Sequence, residues 1–153
     1  MFLNEFVPYS CYDAQRFPPM SPKDFDTWNQ LKKLIHQKEF SAFVHAREVW
    51  WCSLGLNVGT EQDGKHDAFE RPVVILRKFN RESVLIAPIT SQLKRTPYHV
   101  RFTHDGTEYA IIISQVRLIS TRRLRRRMFR MPEDKFAGVL SALQRMLVQE
   151  PDP

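Results

Sequence analysis

The sequence predicts a mainly β domain with helices, of the α+β class, in which a small barrel or compact curled sheet lies between two helices along the chain. Short apolar or alternating segments with local turn residues fill residues 47–119, and helical spacing of apolar residues is confined to the segments before and after them. A chain of 153 residues fits one domain. A domain of this size buries roughly 70% of its unfolded surface, so folding needs no disulfide or metal.

The first helix is predicted over residues 21–39, after an irregular stretch that contains three prolines. Ser21 suits the N-cap, Pro22 suits the first helical position, and Asp24 stands where a capping-box carboxylate belongs. The apolar residues at helical spacing are Phe25, Trp28, Leu31 and Ile35. Such a helix either packs on its own domain or docks on RNA or a partner, and the pattern leaves both open.

The predicted strands are short. Val73–Leu76 and Val84–Ile86 are continuous apolar runs, typical of buried strands, and Asn80–Glu82 forms a turn between them. Tyr98–Thr103 alternates between apolar and polar residues. Asp105-Gly106 then predicts a hairpin, because glycine accepts the positive φ of such turns. The other predicted strands are Val49–Leu54, Ile111–Ile113 and Val116–Ile119.

A second helix closes the domain that we place at residues 46–150, after an N-terminal extension of residues 1–45. Pro132 and Glu133 suit the first turn of this helix. Its apolar stripe consists of Phe136, Val139, Leu140, Leu143 and Leu147.

The net charge of +6 favours a polyanionic partner, which includes nucleic acid, a membrane surface and an acidic protein. Cys11 and Cys52 have neither metal-ligand nor redox spacing, and the five histidines lie apart in the sequence. The first ten residues lack the features of a signal peptide, and no apolar run has the length of a membrane span. We therefore expect a soluble cytoplasmic protein with no metal site, no cofactor and no membrane contact.

Three polar segments are candidate binding sites. Asn57–Glu70 is a long connection between strands, and Thr90–Pro97 combines hydroxyls, an amide and two cations that suit phosphate contact. Both also have the composition of ordinary surface loops. Arg122–Arg130 carries six arginines in nine residues, and their mutual repulsion is easier to sustain beside an anion. A solvated face would have the same composition.

Three stretches form an ordered set of motifs. They are Gly59–Gly64 followed by Arg71–Leu76, then Ala87–Gln92, then Ile113–Ile119. The set resembles the MazF/PemK toxin family, whose pattern is Gly-x-Glu-Gln-x-Gly, an Arg-Pro pair opening a Val-rich strand, Pro-x-Thr-Ser, and Gln-Val/Ile-Arg. Each motif alone is weak, but their order, spacing and strand context make the combination specific. The resemblance covers about residues 47–147.

The resemblance implies an SH3-like small β-barrel of the PemK/MazF/CcdB type with a C-terminal helix, usually as a homodimer. It also implies metal-independent cleavage of single-stranded RNA through attack of the RNA's own 2′-hydroxyl. The partner that it implies is an acidic antitoxin protein whose flexible tail covers the RNA groove. The N-terminal helix is an addition that typical members lack.

The resemblance also assigns roles to residues. Arg71 matches the family's catalytic arginine and Thr90 the hydroxyl residue beside it, while Glu61 matches the acidic residue of the first loop and is the expected general base. The expected RNA-binding residues are Gln62, Lys65, Ser91, Gln92, Lys94, Arg95 and Gln115.

Two departures from the family pattern leave alternatives open. Lys65–Glu70 is an insertion of about five residues between Gly64 and Arg71, so His66, Asp67 or Glu70 could replace Glu61 as the base, or the insertion could restrict substrate entry. The extension of residues 1–45 could occupy the groove as a built-in inhibitor, extend the dimer or pack on the barrel.

The competing function is a non-catalytic nucleic-acid- or protein-binding member of the same fold, such as a CcdB-like poison or a regulator. A nuclease without an antitoxin is a third reading. The Arg71 and Thr90 pair favours catalysis.

Overall fold

The structure, a computed structural model, describes residues 22–39 and 42–148. Two helices flank seven strands along the chain. The elements are α1 (Phe25–His36), β1 (Glu48–Ser53), β2 (Glu70–Lys78), β3 (Ser83–Thr90), β4 (His99–His104), β5 (Thr107–Ile112), β6 (Arg117–Ser120), β7 (Leu124–Arg130) and α2 (Glu133–Val148). Short 3₁₀ turns precede β6 and β7. The α+β class is confirmed.

All pairings in the sheet are antiparallel, in the order β4-β5-β3-β2-β1-β7, with β6 added against the first half of β3. β3 is the branch point, because its first residues pair with β6 and its last two, Ile89 and Thr90, pair with β5. The sheet curls, but its hydrogen bonds do not close it into a ring among the described residues. Side chains bridge the gap instead, since Phe129 of β7 stacks on His104 of β4 with ring centroids 3.5 Å apart.

Two apolar clusters form on the two faces of the curled sheet. In β2, Val74 and Leu76 face the cluster that α2 covers, and Val73 and Ile75 face the other cluster. Burial on both faces explains why this strand is a continuous apolar run rather than an alternating one. Cys52 lies in the second cluster, where burial raises the pKa of its thiol to about 12. Cys11 lies outside the described residues.

The predicted turns and hairpin are confirmed. Asn80 lies between β2 and β3, and its side-chain oxygen accepts hydrogen bonds from the backbone N–H groups of Glu82 and Ser83. Asp105 and Gly106 join β4 to β5 with φ of 47° and 76°, the left-handed geometry of a two-residue hairpin. Both turns are formed by residues that are adjacent in the sequence, so the local sequence was sufficient to predict them.

The terminal helix α2 begins at Glu133 as predicted. Its Phe136 and Val139 are buried, whereas Leu140 is 41% exposed and Leu147 is 73% exposed. The predicted stripe is therefore only partly covered by the chain's own sheet.

The first helix is shorter than the predicted 21–39. Asp24 is the N-cap, and its carboxylate accepts a hydrogen bond from the Thr27 N–H at 2.9 Å, so the predicted Ser21 cap is wrong. Ser21 itself, like the predicted irregular stretch before it, lies outside the described residues. Trp28 and Ile35 are buried, which shows that α1 packs on the rest of the domain.

Strand β7 was not predicted. Its four central residues are exposed, and its charged composition hides the pairing with β1. The pairing contains two irregularities, at Val49/Trp50 and at Trp51/Cys52, which re-aim side chains along the strand.

Candidate active site

A cleft of about 280 Å³ opens where the start of β2 meets the end of β3. Its polar lining residues are Lys65, His66, Glu70, Arg71, Thr90 and Ser91. The apolar part of the wall includes Trp51, Tyr109 and Met128, none of which was predicted as a site residue. No local motif marks these three residues, because β1, β5 and β7 bring them together from distant parts of the chain.

Strand register places Arg71 and Thr90 at the same end of the sheet. Val73 pairs with Pro88 in antiparallel β2 and β3, and Arg71 lies two residues before the one and Thr90 two residues after the other. Steps of two keep both side chains on the same face. Each residue is 8% exposed. The predicted pair therefore lines one cleft.

Two carbonyl groups fix the Arg71 side chain. Nε donates to the Asp63 carbonyl at 2.7 Å, and Nη1 donates to the Ile89 carbonyl at 3.4 Å. Burial lowers the pKa of Arg71 below its ordinary value, and the nearby charge of Asp63 opposes that change. The guanidinium stays a cation near neutral pH. Arg71 therefore presents a fixed positive charge beside the cleft.

Thr90 begins a polar segment that leaves the cleft. Its Oγ1 accepts a hydrogen bond from the Gln92 N–H at 3.1 Å, which turns the chain outward after β3. Ser91 lines the cleft with Thr90, whereas Gln92, Lys94 and Arg95 are exposed on the loop that follows. Thr90 and Ser91 therefore lie in the cleft, and the other three predicted contacts do not line it.

The first glycine motif does not bring its carboxylate into the cleft. Glu61 is exposed, and its Oε2 accepts a hydrogen bond from the Val58 N–H at 3.1 Å within its own turn. Gln115 ties the same loop down, because its Oε1 accepts from the Gln62 N–H and its Nε2 donates to the Thr60 carbonyl. Gln62 and Gln115 are thus hydrogen-bonded to each other, and neither lines the cleft.

The insertion between Gly64 and Arg71 is a compact turn. Lys65 and Glu70 exchange two backbone hydrogen bonds of 2.8 Å, and the Phe69 N–H donates to the His66 carbonyl. His66 and Phe69 both have positive φ, 60° and 48°. Side chains rarely adopt this geometry, and such strain persists only where the surroundings hold it. The turn places His66 and Glu70 on the cleft wall.

Arginines of the basic segment, residues 122–130, form ion pairs that hold residues of this wall. Glu70 forms ion pairs with Arg125 at 3.1 Å and with Arg126 at 3.5 Å, and the Arg126 guanidinium lies 5.0 Å from the ring centroid of Trp51. Arg127 reaches the buried Glu48 at 3.2 Å. Much of the arginine charge that the sequence offers to an anion is therefore engaged within the chain.

Within residues 22–39 and 42–148, no group of three or more His, Cys, Asp or Glu side chains is placed to hold a metal ion. None of the described helices has both the length and the apolar character needed to cross a membrane.

Solved structures share this architecture. MazF from Deinococcus radiodurans is 22% identical, with a TM-score of 0.59 over 72% of this chain and 100% of that chain. The Mycobacterium tuberculosis toxin MazF-mt6 is 14% identical, with a TM-score of 0.52 over 69% of this chain and 100% of that one. An endoribonuclease from a mycobacterial species, solved in complex with its cognate antitoxin, is 13% identical, with a TM-score of 0.52 over 71% of this chain and all of its own. At these identities the likeness shows the MazF fold.

A family-level comparison of the sequence identifies the family to which the chain belongs. The pattern described as PemK-like, MazF-like toxin of type II toxin-antitoxin system matches residues 45–147. The chain belongs to this family, as the ordered motifs predicted. No curated protein matches the chain. The division into residues 1–45 and 46–150 stays a prediction.

Proposed function

We propose that the chain is a metal-independent endoribonuclease that cleaves single-stranded RNA. The observation that carries the proposal is the pairing of Arg71 and Thr90 in one cleft, both nearly buried and held at the junction of β2 and β3. Family membership supports the class of activity, since a related structure is described as an endoribonuclease.

The proposed reaction uses the RNA's own 2′-hydroxyl. Its oxygen attacks the adjacent phosphorus while a base removes its proton, and the 5′-oxygen leaves with a proton from an acid, which yields a 2′,3′-cyclic phosphate. Negative charge grows on the phosphate oxygens, where Arg71 supplies a fixed cation. Arg71 carries five N–H donors, and the two carbonyls that hold it use two of them, so others remain for phosphate. The Thr90 hydroxyl adds a hydrogen bond.

His66 is the proposed proton carrier of the cleft, in place of Glu61. His66 lines the same cleft as Arg71, whereas Glu61 is turned back on Val58. Glu70 also lines the cleft, but its two carboxylate oxygens pair with Arg125 and Arg126. An imidazole can both accept and return a proton, and such acid–base catalysis typically contributes about 10²–10⁴-fold to the rate.

Single-stranded RNA is the proposed substrate because the cleft wall combines polar and cationic side chains with aromatic ones. Lys65 and Ser91 line the cleft as candidate phosphate contacts, and Trp51 and Tyr109 give the wall aromatic side chains of the kind that contact unpaired bases. Lys94 and Arg95, exposed on the loop that follows Ser91, add positive charge after β3.

The proposed protein partners are an acidic antitoxin and a second copy of the chain. The net charge of +6 suits an acidic partner and speeds its approach. Exposed Leu118, Leu140 and Leu147 offer apolar surface that a homodimer would cover. Sedimentation of the purified chain with and without such a partner tests both.

The decisive experiment incubates the chain with a long single-stranded RNA in EDTA, beside Arg71→Ala and the matched control Arg101→Ala. Arg101 is exposed on β4 and does not line the cleft. We expect cutting by the wild type and the control, and none by Arg71→Ala. Cutting by Arg71→Ala, or loss of cutting in EDTA, refutes the mechanism. RNA binding without any cutting supports the binding-module alternative.

A further inference from the structure

One aromatic side chain of helix α1 contacts the connection between β1 and β2 at two places, Gly55 and the insertion turn. Trp28 is 5% exposed, and its ring meets Phe69 of the insertion turn edge-on, with centroids 5.6 Å apart. Beneath it lies Gly55, where an added Cβ would come within 2.3 Å of the Trp28 ring. The Arg123 guanidinium covers the ring at 5.4 Å. Trp28 is thus packed between the end of β1 and the turn that carries His66.

A second contact leads from the start of the same segment to Arg71. The Lys23 ammonium pairs with the Asp63 carboxylate at 2.6 Å and donates to the Asn57 carbonyl at 2.7 Å. The other oxygen of that carboxylate accepts the Asn57 N–H, and the backbone carbonyl of Asp63 accepts Nε of Arg71. One residue, Asp63, therefore joins Lys23 to the guanidinium.

The segment does not enter the cleft. Among the described residues, the cleft wall contains none from 22–39, and α1 lies behind the loop instead of in front of it. This position argues against occupation of the groove by α1 itself.

We propose that Lys23 and Trp28 are positioning residues, and that α1 is a brace that fixes Arg71 and the insertion turn in their working geometry. The proposal rests on the endoribonuclease activity proposed above. The brace holds the cleft at two points, Asp63 behind Arg71 and Phe69 behind His66. The insertion adds a strained turn, and the N-terminal helix supplies the packing that holds it.

The expected consequence is a selective loss of turnover. A displacement of about 1 Å at reacting groups costs about 10²-fold in rate. Lys23→Met removes the ion pair and leaves the apolar stem, so kcat should fall about ten- to hundredfold while KM stays within about twofold. Lys23→Arg should restore most of the rate. Lys33→Met makes an equal charge change at an exposed position within α1, so it is the matched control and should resemble the wild type.

A readout independent of activity completes the test. In ¹⁵N NMR of the full chain, Lys23→Met should shift the Nε–H signal of Arg71 and speed amide exchange of Lys65 and Glu70, and Trp28→Phe should speed the same amides. Lys33→Met should do neither. Unchanged Nε–H and amide signals in Lys23→Met overturn the brace, whether or not the wild type cuts RNA. Inactivity of the wild type, with these shifts present, overturns the proposed activity and leaves the brace standing.

Discussion

Gly64→Ala tests how tightly the insertion turn is built against the loop. A Cβ at this position would lie 1.8 Å from the Phe69 carbonyl oxygen, whereas real Cβ atoms stay at least 3.0 Å from such an atom. The difference requires a movement of about 1.2 Å in backbone that carries Phe69 and, one residue later, Glu70. Overpacking of this kind costs about 1–3 kcal/mol of stability. A shift of that size beside Arg71 should also lower RNA cleavage about 10²-fold.

Two other glycines provide the controls. Gly59 has φ of 57° but nothing within 4 Å of an added Cβ, so Gly59→Ala isolates backbone strain from steric clash. Gly138 lies in α2 with open space around it, so Gly138→Ala should stabilise the chain by about 1 kcal/mol through helix propensity.

Chemical denaturation gives the free energy of unfolding of each variant, and initial rates on a fixed RNA give kcat. The reasoning is refuted if Gly64→Ala matches the wild type in both measurements, because the turn would then be free to move.

Three further predictions concern acidity, a thiol and salt. Burial alone would raise the pKa of Glu48, but hydrogen bonds from Trp50, His45 and Arg127 lower it below its ordinary 4.5. This carboxylate therefore stabilises the fold above pH 4.5, and the stabilisation is lost as the pH falls through the lowered pKa. Denaturation at pH 7 should show Glu48→Gln about 1–3 kcal/mol less stable, with the difference shrinking in acid; a constant difference would contradict the pairing. Cys52 should resist iodoacetamide until the chain unfolds, because burial raises its pKa to about 12, and rapid labelling of the folded chain at this residue would be inconsistent with its burial. Raising salt should weaken RNA binding, with a slope of roughly −0.7 per phosphate contact; a flat response would exclude phosphate contacts.

Local signals in the sequence predicted most of the fold. The apolar run of β2 and the Asp105-Gly106 hairpin depend on neighbouring residues and were correct. β7 was missed because its acidic partners, Glu48 and Glu70, lie far away in the sequence, so its arginines indicated a free basic surface.

In the candidate site, too, local motifs were informative and long-range contacts were not. The motifs predicted Arg71 and Thr90, since strand register follows from adjacent strands. They also named Glu61, which lies outside the cleft because its carboxylate is hydrogen-bonded to Val58 within its own turn, a local contact that the motif does not encode. The contacts of Trp28 and Lys23 with the site loop span more than thirty residues, and no local pattern encodes such packing.

The central claim is that the cleft promotes attack by the RNA's own 2′-hydroxyl, and substrate chemistry tests it most directly. Once a cut site is mapped, the same oligonucleotide is prepared with a single 2′-deoxynucleotide immediately 5′ of the scissile phosphate, and both are incubated with the chain in EDTA. The account predicts that the all-ribose RNA gives fragments ending in 2′,3′-cyclic phosphate and that the substituted one binds but stays whole. Cleavage of the substituted RNA would contradict it, because water or a protein group would then be the nucleophile.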